Sequence, residues 1–282
     1  MLVVGLGDLG ARIAGRAVEL DLPAMGMRRS PRQTSELTLI SHDASTPWPD
    51  LPQKPSDVVV CLPPSERSEA GYEQNYYRVA QQGIAALQQQ APRAHVWLIS
   101  STSVYAQQQG EWVTEDAPAE PERATAKVIR RAEQLWLDST QPATILRPAG
   151  LYGPGRSFLI RQAKEAYTVA DETPVYTNRI HVVDAARAVL HLIKRRRDGF
   201  APPEIVNLVD RDPVSMQDLL AELQSRMGIV PTEARILGRG SKRVSGERLA
   251  ATGFVWAYPS WREGYGEMLQ SADGPGSAPG QG

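Results

Sequence analysis

The sequence predicts an α/β fold, a doubly wound parallel sheet with a smaller C-terminal lobe, on three observations. Short apolar runs recur along the chain with helix-patterned segments between them. A glycine-rich turn joins the first run to the first helix, and after Arg147 the texture changes to turn-forming residues.

The opening, Met1 to Arg29, reads as strand, glycine turn, helix and second strand. Leu2, Val3 and Val4 are apolar without alternation, as in a strand covered on both faces. Gly5, Gly7 and Gly10 follow at once in the spacing GxGxxG. The first glycine permits the tight turn, the second lets backbone approach a pyrophosphate, and the third lets helix and strand pack closely. Leu9, Ile13, Ala14, Ala17 and Val18 then share one helical face, with Arg12, Arg16 and Glu19 outside it. Strand, motif, helix and strand in this order favour a Rossmann dinucleotide site over an ordinary glycine-rich turn, with phosphates on the free amides of the helix N-terminus.

An acid that would accept from the ribose 2′-OH of NAD is missing from the end of the second strand, where Arg28 and Arg29 stand instead. Arginine suits the 2′-phosphate of NADP, so NADP is favoured. NAD stays open, because the same pair also reads as a solvated basic loop.

Further strand-like runs lie at 37–41, 58–62, 96–100, 144–147 and 205–209. The stretch 46–55 holds four prolines and reads as a surface loop. Val79, Gly83, Ile84 and Leu87 mark a helix before the fifth strand, and Val128, Ile129, Ala132, Leu135 and Trp136 mark another before the sixth. A helix at 184–193 ends in Lys194, Arg195, Arg196 and Arg197, which complement its negative end. Ser215 and Asp218 form a capping box before Leu219, Leu220, Leu223 and Met227. The expected division is 1–150 with 178–210 as the dinucleotide unit, 151–177 with 211–270 as the substrate lobe, and 271–282 as a disordered tail.

The 282 residues are 41% hydrophobic and 22% charged, ordinary globular material, and a net charge of −1 gives no footprint for nucleic acid or an anionic membrane. A small-molecule partner is expected. Met1 runs directly into a strand with no leader or long apolar segment, so a cytoplasmic protein is expected. Cys61, the single cysteine, sits in an apolar run and reads as a core thiol; the four scattered histidines give no metal site.

Several segments together resemble the extended and atypical short-chain dehydrogenase/reductases, in their NAD-dependent epimerase/dehydratase-like branch. They are GLGDLG at 5–10, ISSTSVYA at 99–106, LRPAGLYGPGR at 146–156, RIHVVDAARA at 179–188, VNLVD at 206–210 and a late segment at 241–265. The resemblance implies that Gly5, Gly7, Asp8, Leu9 and Gly10 hold the dinucleotide, that Asp43 lies near the adenine, and that Leu62, Pro63 and Pro64 line the adenosine ribose. From the residues alone, Asp43 is equally a turn carboxylate and 62–64 a proline loop. The resemblance also implies that Ser101 is the active-site hydroxyl, that Lys127 holds the nicotinamide ribose, and that the protein is a homodimer through the helices before the fifth and sixth strands.

The family's redox members pair that lysine with a tyrosine one helical turn earlier, whose proton transfer the nearby cation assists. Here the segment is Arg123, Ala124, Thr125, Ala126, Lys127. Arginine cannot relay a proton at physiological pH. Two readings follow: an oxidoreductase or epimerase acting on a sugar-like or nucleotide-linked hydroxyl or carbonyl with another proton carrier, or a non-catalytic NADP-binding sensor or scaffold. Tyr105, Tyr152 and Tyr176 are stand-in candidates, although each also suits a packed aromatic. Arg156 and Arg161 are candidates for a phosphate or carboxylate, His181 reads as structural, and Asp184 reads as a helix-start carboxylate.

Overall fold

In a computed structural model of the chain, residues 1–30 and 37–272 are described. Seven strands build the central sheet: β1 (Leu2–Val4), β2 (Met25–Arg28), β3 (Thr38–Ser41), β4 (Asp57–Val60), β5 (His95–Ile99), β6 (Ala143–Pro148) and β7 (Ile205–Leu208). They lie in the order β7-β6-β5-β4-β1-β2-β3, every pair parallel. The expected α/β sheet is therefore present, and its order reverses between β1 and β4, where such sheets open a crevice at their carboxyl ends.

Period-two alternation divides the strands between two cores. Val3, Val59, Trp97, Leu146 and Val206 face α1 (Asp8–Glu19), through Leu9, Ile13 and Ala17, and a long C-terminal helix (Val182–Arg197). Leu2, Val4, Val58, Val60, Leu98 and Ile145 face the other side, where α2 (Val79–Gln90) and α3 (Ala124–Asp138) supply Val79, Ala80, Leu87, Ala132 and Trp136. That long helix is α4. Cover on both faces explains the unbroken apolar runs of β1 and β4.

Three local features differ from the sequence reading. Helix α2 continues an earlier stretch that starts at Glu69 and passes through a π-helical turn at Glu73–Arg78. The proline loop is irregular as expected, yet it sends Trp48 into the core, where the indole donates to the Ala44 carbonyl at 2.9 Å. At the end of α4, Arg196 and Arg197 reach the buried Asp57 on β4, at 3.2 and 3.0 Å, while Lys194 pairs with Asp198. The basic cluster thus neutralises a carboxylate under the sheet as well as complementing the helix end.

After β6 the chain forms a smaller cluster. A strand at Gly150–Tyr152 pairs with Arg179–His181, and Ser241–Val244 pairs with Gln109–Val113. Leu159, Ile160, Tyr167, Leu220, Trp261 and Tyr265 form a separate apolar core there. The helix Met216–Arg226 in this cluster begins with the expected capping box, the Ser215 hydroxyl accepting from the Asp218 amide at 3.0 Å. Asp184 does more than start α4: its carboxylate accepts from the amides of Ala257 and Tyr258, at 2.9 and 2.7 Å, and tethers the C-terminal segment to that helix. Among the described residues no helix is long and apolar enough to cross a membrane. The tail expected at 271–282 lies, from residue 273, outside the described residues.

Candidate functional site

Two cavities open at the carboxyl edge of the sheet. The first, about 220 Å³, is bounded by the ends of β1, β2, β3 and β4, and Gly5, Gly7, Arg28, Arg29, Asp43 and Pro63 line it. Gly5 adopts φ +95°, which an L side chain would resist, and a Cβ at Gly10 would overlap the Gly5 carbonyl oxygen. The tight crossing of β1 and α1 therefore requires both. Gly7 differs: its φ is −74°, and a Cβ there would approach nothing closer than Pro63 Cδ at 3.9 Å. The fold does not need this glycine. It is the N-cap of α1, and no side chain caps that helix end. An open, uncapped helix terminus beside a glycine that only a ligand would require fits a dinucleotide pyrophosphate.

Arg28 closes β2 and Arg29 follows it; neither is ion-paired with a described residue, and the buried Arg28 Nε has no hydrogen-bond partner. Asp43 faces the same cavity. Its Oδ1 accepts from the Ser45 amide at 2.9 Å and the Ser45 hydroxyl at 2.7 Å, and the amide bond holds the carboxyl below its ordinary range. Leu62 and Pro63 also line this cavity. Leu9 instead turns into the core from α1. Asp8 is engaged from two sides, by Arg12 Nε at 2.8 Å and by Arg156 Nε at 2.7 Å. Partial burial raises its carboxyl, and the hydrogen bonds from Arg156 and Arg12 outweigh that and bring it below the usual range. The Arg156 contact joins the smaller cluster to the start of α1. Cys61 lies beneath this cavity with its thiol pushed up to about 12 by burial, far from a reactive thiolate.

The second cavity, about 660 Å³, opens beyond β5 and β6. Ser100 and Ser101 leave β5 in opposite directions. Ser100 is buried, and its hydroxyl donates to Glu133 Oε1 on α3 at 2.5 Å. Glu133 also accepts two bonds from Arg147 on β6, at 2.9 and 2.7 Å. This buried pair fixes the strand end from behind. Ser101 faces the cavity, its backbone extended at the start of a short turn, and its Oγ accepts from the Ser103 amide at 3.1 Å. The hydroxyl proton makes no further bond to a described residue.

Arg123, the N-cap of α3, lines this cavity. Lys127 lies one turn further along, exposed and outside the lining. Of the tyrosines, Tyr152 is buried, stacked on Tyr265 with centroids 4.5 Å apart. Tyr105 borders the cavity but spends its hydroxyl on Asn207 at 2.9 Å. Tyr176 borders it and is partly exposed. His181 is packed between Tyr152 and Tyr258, and the Arg161 guanidinium donates to the Ser157 hydroxyl of its own turn, at 3.2 Å. The cavity also gathers Arg179, Arg239 and Lys242. The Lys242 Nζ donates to the Tyr105 carbonyl at 2.8 Å, and Asn178 holds the Lys242 backbone carbonyl at 2.9 Å. Burial, and then the charge of Arg123, lower the Lys242 ammonium from its ordinary value; burial lowers Arg179 similarly. The sequence reading missed these three cations. Lys242 and Arg179 lie within the quoted segments 241–265 and 179–188, but nothing in a short strand's composition says which chain it will meet.

This geometry, a glycine crossing at a sheet reversal with a hydroxyl at the end of β5, two strands along the same sheet edge, defines a dinucleotide-binding α/β class. The family model for the NAD dependent epimerase/dehydratase family matches residues 9–208. A candidate NAD-dependent epimerase/dehydratase of Methylobacillus flagellatus is similar at 31% identity over 96% of this chain and 97% of its own, with TM-score 0.80. The chain belongs to the NAD dependent epimerase/dehydratase family. A conserved protein of unknown function from Silicibacter pomeroyi shares the fold at 24% identity, over 97% and 99% of the chains, with TM-score 0.73. UDP-glucuronic acid 4-epimerase from Bacillus cereus, solved with NAD, shares it at 20% identity, over 96% and 98%, with TM-score 0.76. A comparison with curated proteins finds no match.

Proposed function

We propose that this chain is an oxidoreductase or epimerase that binds NADP in the first cavity and acts on a hydroxyl or carbonyl of a sugar-like or nucleotide-linked substrate in the second. The observation that carries the reading is Ser101: a hydroxyl with an unspent proton in a cavity at the same sheet edge as the glycine turn. The Bacillus cereus relative, an epimerase of a nucleotide-linked sugar, supports the substrate class.

When bound, the dinucleotide supplies hydride transfer. Gly7 and the start of α1 hold its pyrophosphate, with Gly5, Asp8, Leu9 and Gly10 shaping that turn; Arg28 and Arg29 hold the 2′-phosphate, which is the basis for NADP over NAD. Asp43, Leu62 and Pro63 flank the adenosine, and Lys127 serves the nicotinamide ribose after a rotation toward the cavity. Ser101 donates a hydrogen bond to the substrate oxygen and stabilises charge there, while the proton itself moves through another carrier. Residues 1–150 and 178–210 form the dinucleotide unit and 151–177 with 211–270 the substrate lobe, and two copies associate through α2 and α3.

A second reading rests on Arg123, which replaces the family's tyrosine: the protein binds NADP as a sensor without turnover. Over a panel of UDP-sugars, net oxidation or reduction is followed by dinucleotide absorbance and epimerisation, which leaves the dinucleotide unchanged overall, by NMR of the sugar, with Ser101→Ala alongside. The enzyme reading expects turnover that falls about 100-fold or more in the variant while dinucleotide affinity holds. Tight NADP binding with no turnover across the panel selects the sensor, and turnover untouched by Ser101→Ala refutes the role given to that serine.

A further inference from the structure

Arg123, Arg179, Arg239 and Lys242 line the Ser101 cavity, against one carboxylate, Glu122. None of the four is ion-paired with a described residue, whereas Arg130, Arg147 and Arg248 nearby all are. The acids that face them stay outside ion-pair reach: Glu111 acts on Lys242 and Asp210 on Arg179 only at longer range. Arg179 is partly buried, its Nε has no hydrogen-bond partner among the described residues, and its guanidinium lies over Gly150, where a Cβ would collide with it. The cations also act on one another, Arg123 on Lys242 and Arg239 on Arg179. Gathering like charges without a counterion opposes folding, and a cavity so lined raises the local concentration of anions.

We infer that the substrate carries an anionic group, a carboxylate or a phosphate, on its reacting part, seated between Arg123 and Lys242 in the cavity that Ser101 lines and backed by Arg179 and Arg239. The inference rests on the assignment of this cavity to the substrate. It gives Arg123 a positive role: the residue in the tyrosine position becomes an anion clamp, a task for which a permanently charged, planar guanidinium is suited and a phenol is not. Among sugar-like and nucleotide-linked compounds, the substrate is thereby narrowed to one with an acid on its reacting part, such as a uronate or a sugar phosphate.

The test is calorimetric titration of the full chain with D-glucuronate, inorganic phosphate and neutral D-glucose, on the native protein, Arg123→Gln and Lys242→Gln, with NADPH titrated in parallel. One anion is expected to bind at a single site that weakens when salt is raised, to bind at least tenfold more weakly to both variants, and to have no counterpart with glucose. The tighter of the two anions distinguishes carboxylate from phosphate. Failure of both anions to bind at millimolar concentration, or affinity unchanged in both variants, overturns the inference. Arg123 is exposed, so Arg123→Gln keeps the fold and decides the matter even if Lys242→Gln does not. Loss of NADPH binding with anion binding intact removes the cofactor assignment and leaves the clamp standing; the opposite result removes only the clamp.

Discussion

Gly7→Ala separates what the fold needs from what a ligand needs. At Gly7 the backbone is already in a region open to alanine, and the added methyl meets only Pro63, at 3.9 Å. Alanine is a poorer N-cap than glycine, so the expected cost is about 0.5–1 kcal/mol. For a chain of this size that lowers Tm by about 2 °C. The same methyl stands where the pyrophosphate would approach the α1 amides, and charge-assisted bonds of that kind contribute about 1.5–3 kcal/mol each. Loss of one such bond raises the dinucleotide Kd about 10-fold to 150-fold. Gly10→Ala is the contrast: its methyl collides with the Gly5 carbonyl, and overpacking costs about 1–3 kcal/mol or more whether or not ligand is present. Both variants are measured by thermal melts and by NADPH titration. A Gly7→Ala protein that melts like the native chain and still binds NADPH with native affinity refutes the placement of the pyrophosphate.

Glu133→Gln leaves the Arg147 guanidinium buried without its counterion and weakens the anchor of Ser100, so urea unfolding is expected to show a loss of about 3–5 kcal/mol; a loss below about 1 kcal/mol would contradict the role of this pair. His95, bonded to Thr144 at 2.9 Å, is lowered to about 4 by burial, with Arg196 adding to the effect. The unfolded chain then binds the extra proton between about pH 6.5 and 4, so stability is full above 6.5 and falls as pH drops toward 4, by about 3 kcal/mol. The drop is read from denaturant melts across that range, and His95→Gln should flatten it; an equal drop in the variant assigns it elsewhere.

The sheet and its helices were legible because their signal is local: the unbroken run of Val58 to Val60, the face shared by Leu9, Ile13 and Ala17, and the Ser215 cap are each set by neighbours in sequence. The glycine turn was legible for the same reason. The second cavity was not, because it is assembled from distant pieces. Lys242 meets Tyr105 across 137 positions and Asn178 meets Lys242 across 64. Asp57 illustrates the limit from the other side: a carboxylate among valines reads as a strand boundary, and only the fold brings Arg196 and Arg197 to it. Arg123 was visible as a departure from a family pattern, yet its purpose depends on which charges surround it.

The central claim, a dinucleotide at the crossing of β1 and α1 with Arg28 at its 2′-phosphate, is tested most directly by calorimetric titration with NADP+, NADPH, NAD+ and NADH on the native chain and on Arg28→Ala. The account predicts binding of the nicotinamide dinucleotides with NADP(H) preferred by about 10-fold or more, and a preference that disappears in the variant while NAD(H) affinity is unchanged. Binding of none of the four would contradict it.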